Sequence, residues 1–148
     1  MLKVRGKRSK SAVAMGVFLA GLVSGALTGA PSATAADYLP CTTGGYLYNK
    51  VTNPTSYKYI PYVGTSNYCW LKSGMSNTAV RALQKNLNHC YGKNLALDGV
   101  FGSLTKSALV SVQKKVGVTA DGEYGPHTRN AMVWANYSME TGAKINCN

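Results

Sequence analysis

The stretch Leu97-Asp98-Gly99-Val100-Phe101-Gly102-Ser103-Leu104-Thr105-Lys106-Ser107-Ala108-Leu109 returns 23 residues later as Ala120-Asp121-Gly122-Glu123-Tyr124-Gly125-Pro126-His127-Thr128-Arg129-Asn130-Ala131-Met132. The shared pattern is Asp-Gly-x-aromatic-Gly-x-x-Thr-basic-x-Ala, followed by Leu or Met. An Asp-Gly pair makes a tight turn, with the carboxylate bonding backbone amides and Gly supplying a positive φ. The aromatic, Phe101 or Tyr124, reads as a plug that holds the turn against the core. The second Gly releases the chain into a helix. Thr falls in the first turn of that helix, where its hydroxyl can meet unpaired N–H groups. Ala and Leu or Met then open a buried face. The unit is turn, plug and helix, used twice.

Working outward, the pattern around the repeat is helical. Ser103–Val116 fits one helix with Leu104, Ala108, Leu109, Val112 and Val116 inward, and Gly117 closes it. Pro126 to about Ala135 fits another, with Pro126 in the first turn, where its missing N–H costs nothing. Upstream, Val80, Leu83, Leu87 and Cys90 form one stripe, with Arg81, Lys85 and Asn88 on the other side. Ser76 or Asn77 caps the start of that helix and Gly92 follows its end. The periodicity predicts a mainly α fold over residues 71–137, a small three-helix bundle.

Residues 37–70 differ in composition. Seven of the ten tyrosines lie between Asp37 and Tyr68, and Tyr46/Tyr48 and Tyr57/Tyr59 alternate on either side of Thr-Asn-Pro-Thr-Ser. Such alternation predicts a hairpin, with Pro61 confining its second strand to an edge. The segment is therefore expected to add short strands or irregular structure, and residues 138–148 a tail. Cys41, Cys69, Cys90 and Cys147 are an even set in a small chain, which reads as two disulfides. Of the three pairings, Cys41–Cys69 with Cys90–Cys147 is preferred, because it ties down both irregular ends.

The N-terminus reads as an export signal, residues 1–36. A basic head (Lys3, Arg5, Lys7, Arg8, Lys10) precedes an uncharged run to Ala30, and Ala33-x-Ala35 fits a signal peptidase. Cleavage is expected before Ala36 or Asp37. The run is Gly- and Ala-rich and nothing basic follows it, so a retained anchor is disfavoured. A secreted or wall-associated protein that leaves the membrane after processing, and a monomer, is the expectation. The formal charge is +11, but removing residues 1–36 leaves eleven basic and five acidic residues, net +6. That moderate value argues against a dedicated nucleic-acid binder.

With these motifs in hand, the chain resembles the peptidoglycan-binding domain of bacterial wall hydrolases, a three-helix domain. The family's opening pattern Leu-x-x-Gly-x-x-Gly-x-x-Val-x-x-Leu-Gln-x-x-Leu reads here as Leu71, Gly74, Asn77, Val80, Leu83, Gln84 and Leu87. Its later elements match Asp98 to Thr105, Gln113, Gly117-Val118 and Asp121 to Thr128. Asn77 replaces a Gly, Val112 stands where Phe is common and Arg129 where Trp is common. The resemblance covers about Leu71–Trp134 and implies a non-catalytic protein that binds peptidoglycan or another wall polymer. A wall enzyme is a second class of partner.

The residues expected to meet the ligand are Asp98, Gly99, Asp121, Gly122, Tyr124, Arg129 and Trp134. Backbone groups of the two turns would bond amides, Tyr124 or Trp134 would offer a stacking face, and Arg129 would meet a carboxylate. Phe101 and Tyr124 read equally as core plugs. Tyr91, Trp70 and the run of seven tyrosines (Tyr38, Tyr46, Tyr48, Tyr57, Tyr59, Tyr62 and Tyr68) read either as packing between hairpin and bundle or as a saccharide platform. Lys85, Lys106, Lys114, Lys115 and Arg129 suit anionic polymers. The catalytic inventory is thin. Only His89 and His127 are present, and a zinc site normally takes three protein ligands, so no metal or other cofactor is expected. Asp98 and Asp121 serve their turns, leaving Glu123 and Glu140 as the spare acids. Two other readings fit the same chain: a small wall hydrolase, and a protein-interaction module that uses the Tyr-rich face.

Overall fold

The computed structural model of the chain describes residues 38–49 and 55–148. The export segment, and the turn centred on Asn53-Pro54 apart from its last residues, lie outside the described residues. In chain order the elements are β1 (Thr43–Tyr48), β2 (Ser56–Tyr62), α1 (Thr78–Tyr91), α2 (Ser103–Val116), α3 (Pro126–Ala131), β3 (Ala135–Ser138) and β4 (Lys144–Cys147). The strands form one antiparallel sheet in the order β1-β2-β3-β4. This overturns the expectation of a mainly α three-helix bundle. Three helices stand with a four-stranded sheet whose outer strands come from opposite ends of the described chain.

The helices start and stop for the reasons read from the residues. Asn77 caps α1, its Oδ1 accepting from Val80 N at 3.0 Å, and Gly92 ends it in the left-handed conformation. Gly117 ends α2 in the same way. Leu104 departs from the expected inward set, being 76% exposed, whereas Ala108, Leu109 and Val112 are buried. The core joins α1 (Val80, Leu83, Leu87) and α2 (Leu109, Val112) to Leu71, Ile60 and the two plugs Phe101 and Tyr124.

Helix α3 is shorter than the pattern predicts, ending at Ala131 rather than near Ala135. A buried residue of α1 explains the stop. Asn86 donates to Val133 O at 3.0 Å and accepts from Ala135 N at 2.9 Å. Those backbone groups, which a longer helix would use itself, are turned outward to a side chain. The chain then enters β3, and Trp134 and Asn148 exchange backbone bonds that extend the β3–β4 pairing. Strand β2 is an interior strand, against the edge placement drawn from Pro61. Its pairing to β3 runs only from Ser56 to Lys58, so at Pro61 the strand has β1 alone beside it. The Pro is thereby tolerated.

The disulfides are Cys41–Cys69 and Cys90–Cys147. The first ties the lead-in to β1 to the residue before Trp70, and the second ties the end of α1 to β4. Bridges spanning 28 and 57 residues stabilise by roughly 3.5–4 kcal/mol each in the chain-entropy account.

Each Asp-Gly turn is held by one buried glutamine. Gln84 Nε2 donates to Asp98 Oδ1 (2.8 Å), Val100 O (3.0 Å) and Thr105 Oγ1 (3.2 Å), while its Oε1 accepts from Gly99 N (2.9 Å). Gln113 does the same for Asp121 Oδ1 (2.8 Å), Glu123 O (2.8 Å), Thr128 Oγ1 (3.1 Å) and Gly122 N (2.8 Å). The Thr hydroxyls thus face carbonyls and the Gln amides, not the unpaired helix N–H groups expected for them; Gly102 and Gly125 are the N-caps. Gly99 has φ +74°, and a Cβ there would lie 2.8 Å from Asn77 O, so no other residue fits without strain.

Two outcomes are expected. Gln113→Leu keeps the volume but leaves the buried Gly122 N without its acceptor and takes the amide donor from Asp121 Oδ1 and Glu123 O, a cost of about 2–4 kcal/mol. Thermal unfolding should then show a Tm lower by roughly 10 °C or more. An unchanged Tm would refute the clamp. The second concerns acid. The Val100 amide and then the Gln84 side chain hold the Asp98 carboxyl below the usual carboxylate range. A depressed carboxylate stabilises above its ordinary range, and the contribution is lost as pH falls through the lowered value. Asp98→Asn should flatten the acid limb of a stability–pH curve below about pH 4.

Candidate functional site

The repeat builds two equivalent clefts. Residues 71–76, which lead into α1, run past both turns. Leu71 pairs with Tyr124 through two 2.8 Å backbone bonds, and Ser76 bridges Val100, with Phe101 N donating to Met75 O at 2.8 Å. Beside the first turn lies a cleft of about 180 Å³ lined by Asp98, Val100, Gly102, Ser103 and Leu104, together with Leu95 and Ala96. Beside the second lies one of about 150 Å³ lined by the matching Asp121, Glu123, Gly125, Pro126 and His127, with Tyr124 as its floor.

The two differ in what the rest of the chain adds. The first cleft is edged by aliphatic side chains. The second gains two aromatic walls, Trp70 and Tyr38. The Trp70 indole N–H donates to Tyr38 O at 2.8 Å, and backbone bonds Trp70 N to Leu39 O and Cys41 N to Trp70 O knit the two segments together. The adjacent Cys41–Cys69 bridge fixes the same pair of segments. Tyr38 stacks on Tyr68 at 6.5 Å, and Lys72 sits 4.9 Å over the Trp70 ring. Glu123 and His127 are exposed at the rim. A rigid aromatic wall with carboxylate and imidazole groups beside it suits a ligand with apolar faces and polar edges.

The structure disperses the residues expected to act together. Asp121 and Tyr124 belong to the second cleft and Asp98 to the first. Gly99 and Gly122 are buried, and their N–H groups are used by the glutamines. The turns therefore have fewer free backbone groups than a ligand-bonding role would use. The Tyr124 ring is 0% exposed and acts as a plug, which also pushes its phenol well above the ordinary value. Trp134 is buried and meets Tyr124 edge-on at 6.1 Å. Neither presents an open stacking face. Arg129 and Trp134 line a separate cleft of about 280 Å³ with Lys58 and Met132. The Arg129 guanidinium lies 5.0 Å over Tyr68 and donates to Asn130 Oδ1 at 2.8 Å.

Trp70 and Tyr38 are the partly exposed aromatics of the second cleft, whereas Tyr124 and Trp134 are buried. The signal for them was their place beside Cys69 and Cys41 in the Tyr-rich segment. The histidines part company as well. His127 lines the second cleft, while His89 bonds Tyr137 Oη at 2.9 Å, its pKa lowered by burial and by Lys85 and Lys144. Among the described residues no group of three or more His, Cys, Asp or Glu side chains is placed to hold a metal ion. No helix among them is long and apolar enough to cross a membrane.

Residues 76–132 match the family model described as "Putative peptidoglycan binding domain". The chain is 45% identical over 77 residues to a probable N-acetylmuramoyl-L-alanine amidase of Bacillus licheniformis, covering 50% of this chain and 22% of the relative. It is 43% identical over 68 residues to the zinc D-Ala-D-Ala carboxypeptidase of Streptomyces albus G, covering 43% and 27%. The chain thus spans about a quarter of the length of these relatives. A crystal structure of a peptidoglycan-binding protein from Clostridioides difficile, in complex with glutamine hydroxamate, is 31% identical; the overlap covers 57% of this chain and 54% of that one, with a TM-score of 0.43. Residues 76–132, which hold α1, both Asp-Gly turns, α2 and α3, are a member of the peptidoglycan binding domain family.

Proposed function

We propose that the protein is an exported, non-catalytic module that binds peptidoglycan through the aromatic cleft at its second Asp-Gly turn. The observation that carries this reading is the pairing of a family-matched turn with the Trp70 and Tyr38 walls. In this proposal residues 1–36 are removed on export and residues 71–137 form the binding unit. Residues 37–70 contribute the aromatic walls, and residues 138–148, expected as a tail, return as strand β4 beside β3 and are tied to α1 by Cys147. The protein acts as a monomer outside the membrane, on the wall or beside a wall enzyme.

The proposed contacts are few. A sugar ring or the apolar part of a stem peptide rests on Trp70, and Glu123 and His127 meet amide or amino groups at the rim. Burial in a cleft of this size is partial, so a single site binds weakly. A repeating polymer compensates, because a released protein rebinds adjacent units. Asp121 stays with Gln113 and the Glu123 amide and positions the turn without touching the ligand.

A small wall hydrolase is the second reading, favoured by one observation: Asp121, Glu123 and His127 line the same cleft. Glycosidic chemistry needs two carboxyl groups facing one bond. Asp121 Oδ1 already accepts two hydrogen bonds, which disfavours it as a partner for Glu123. Co-sedimentation with purified wall sacculi separates the readings when turbidity is followed in parallel. The expected outcome is sedimentation without clearing, and retention lowered by about tenfold in Trp70→Ala, as for loss of an aromatic anchor. Clearing that is lost in Glu123→Gln would establish the hydrolase. Unchanged retention in a folded Trp70→Ala would move the site elsewhere.

A further inference from the structure

The tyrosines of the hairpin are not part of the second-turn cleft. The register pairs Tyr46 with Tyr59 and Tyr48 with Tyr57, so the four rings share one face of the sheet. Tyr46 lies 5.2 Å from both Tyr57 and Tyr59, and Tyr57 stacks on Tyr137 at 5.5 Å. Helix α1 lays Arg81, Lys85 and His89 along this face at four-residue steps, which places them on one stripe. Lys85 Nζ stands 4.2 Å over the Tyr137 ring and 5.9 Å from the Tyr59 centroid.

Between strand and helix opens a cleft of about 230 Å³ lined by Tyr46, Tyr57, Tyr59, Arg81, Lys85 and Leu97. Among the described residues its lining has two cations and no carboxylate. Burial, and after it the Arg81 charge, lower the Lys85 pKa, so the ammonium is held where its charge is disfavoured. An incoming anion would relieve that repulsion. The Tyr46 ring is 57% exposed and meets Tyr57 and Tyr59 at interplanar angles of 78° and 46°. Inside the cleft Tyr46 is tilted to both of its neighbours and forms no parallel slot with either of them. The rings offer open faces and phenol hydroxyls of the sort that match a saccharide ring.

We propose that this cleft is a second binding site, for an acidic glycan whose sugar ring rests on Tyr46 and Tyr59 while its ring-borne carboxylate meets Arg81 and Lys85. It straddles the edge of the family-matched segment: β1 and β2 supply the three tyrosines from outside it, and Arg81, Lys85 and Leu97 lie within it. Its ligand differs from the one proposed for the second-turn cleft, and its occupancy does not require that reading to hold.

Calorimetric titration of the folded protein with a galacturonic acid tetramer tests it, with the methyl-esterified tetramer and sodium acetate as controls. The acid tetramer is expected to bind at low salt. The ester should bind about tenfold more weakly and acetate alone not measurably, as for loss of a charge-assisted contact. Arg81→Gln and Tyr46→Ala, both at exposed positions, should each weaken binding of the acid tetramer by about tenfold. Trp70→Ala should leave it unchanged. Equal binding of acid and ester, binding insensitive to both variants, or no binding to a natively folded protein would each overturn the proposal. Because no wall material enters the experiment, its failure would leave the peptidoglycan reading untouched.

Discussion

The buried amides of Gln84 and Gln113 set the geometry on which the rest of the structure depends. Each collects the acceptors of one Asp-Gly turn and returns its own oxygen to the glycine N–H. A buried polar side chain is costly unless its bonding capacity is met, so the clamp specifies one arrangement of turn against helix. Once the turns are fixed, Phe101 and Tyr124 can only point inward. The segment before α1 then has two defined edges to bridge, at Val100 and Tyr124. That second bridge places Trp70 beside Glu123 and His127, so the candidate site follows from the clamp.

Both glutamines sit in the same helical context. Val80, Leu83, Gln84 and Leu87 on α1 recur as Leu109, Val112, Gln113 and Val116 on α2. A polar residue inside an apolar stripe at i, i+3, i+4 and i+7 signals a buried group with partners elsewhere. The repeat is therefore longer than the Asp-Gly pattern suggests: each unit includes the helix before its turn. The two copies diverge at the cleft, where Val100 and Leu104 stand in place of Glu123 and His127. The N-terminal segment adds its aromatic walls to the second copy alone, so one scaffold presents two chemically different surfaces.

The sequence carried some of this plainly and some not at all. Both ends of α2 and the caps of α1 follow from local chemistry at Asn77, Gly92 and Gly117, whereas the four cysteines left three pairings open, with a preference for the one the structure holds. The hairpin was visible in the tyrosine alternation. Strands β3 and β4 were not, because four residues are too few to show alternation and their partners are distant in the chain. Ala-Asn-Tyr-Ser also continues an apolar run that looks helical until Asn86, 47 and 49 residues earlier, claims the backbone groups of Val133 and Ala135. The candidate site was legible in its turns and less so in its walls. Tyr124 could be recognised as a plug, but its claim to a stacking face fails through burial. Arg129 does not line the second cleft; its guanidinium lies over Tyr68 and bonds Asn130.

The central claim is that peptidoglycan is recognised beside the second Asp-Gly turn. Amide and indole NMR shifts, followed during titration with a soluble disaccharide–peptide fragment of the wall, test it residue by residue. The account predicts that the Trp70 indole N–H and the amides of Glu123, Gly125 and His127 shift together and saturate at one ligand concentration. The Leu104 amide, at the matching position of the first turn, should stay in place. Shifts confined to the first turn or to the tyrosine hairpin, with Trp70 unmoved, would contradict it.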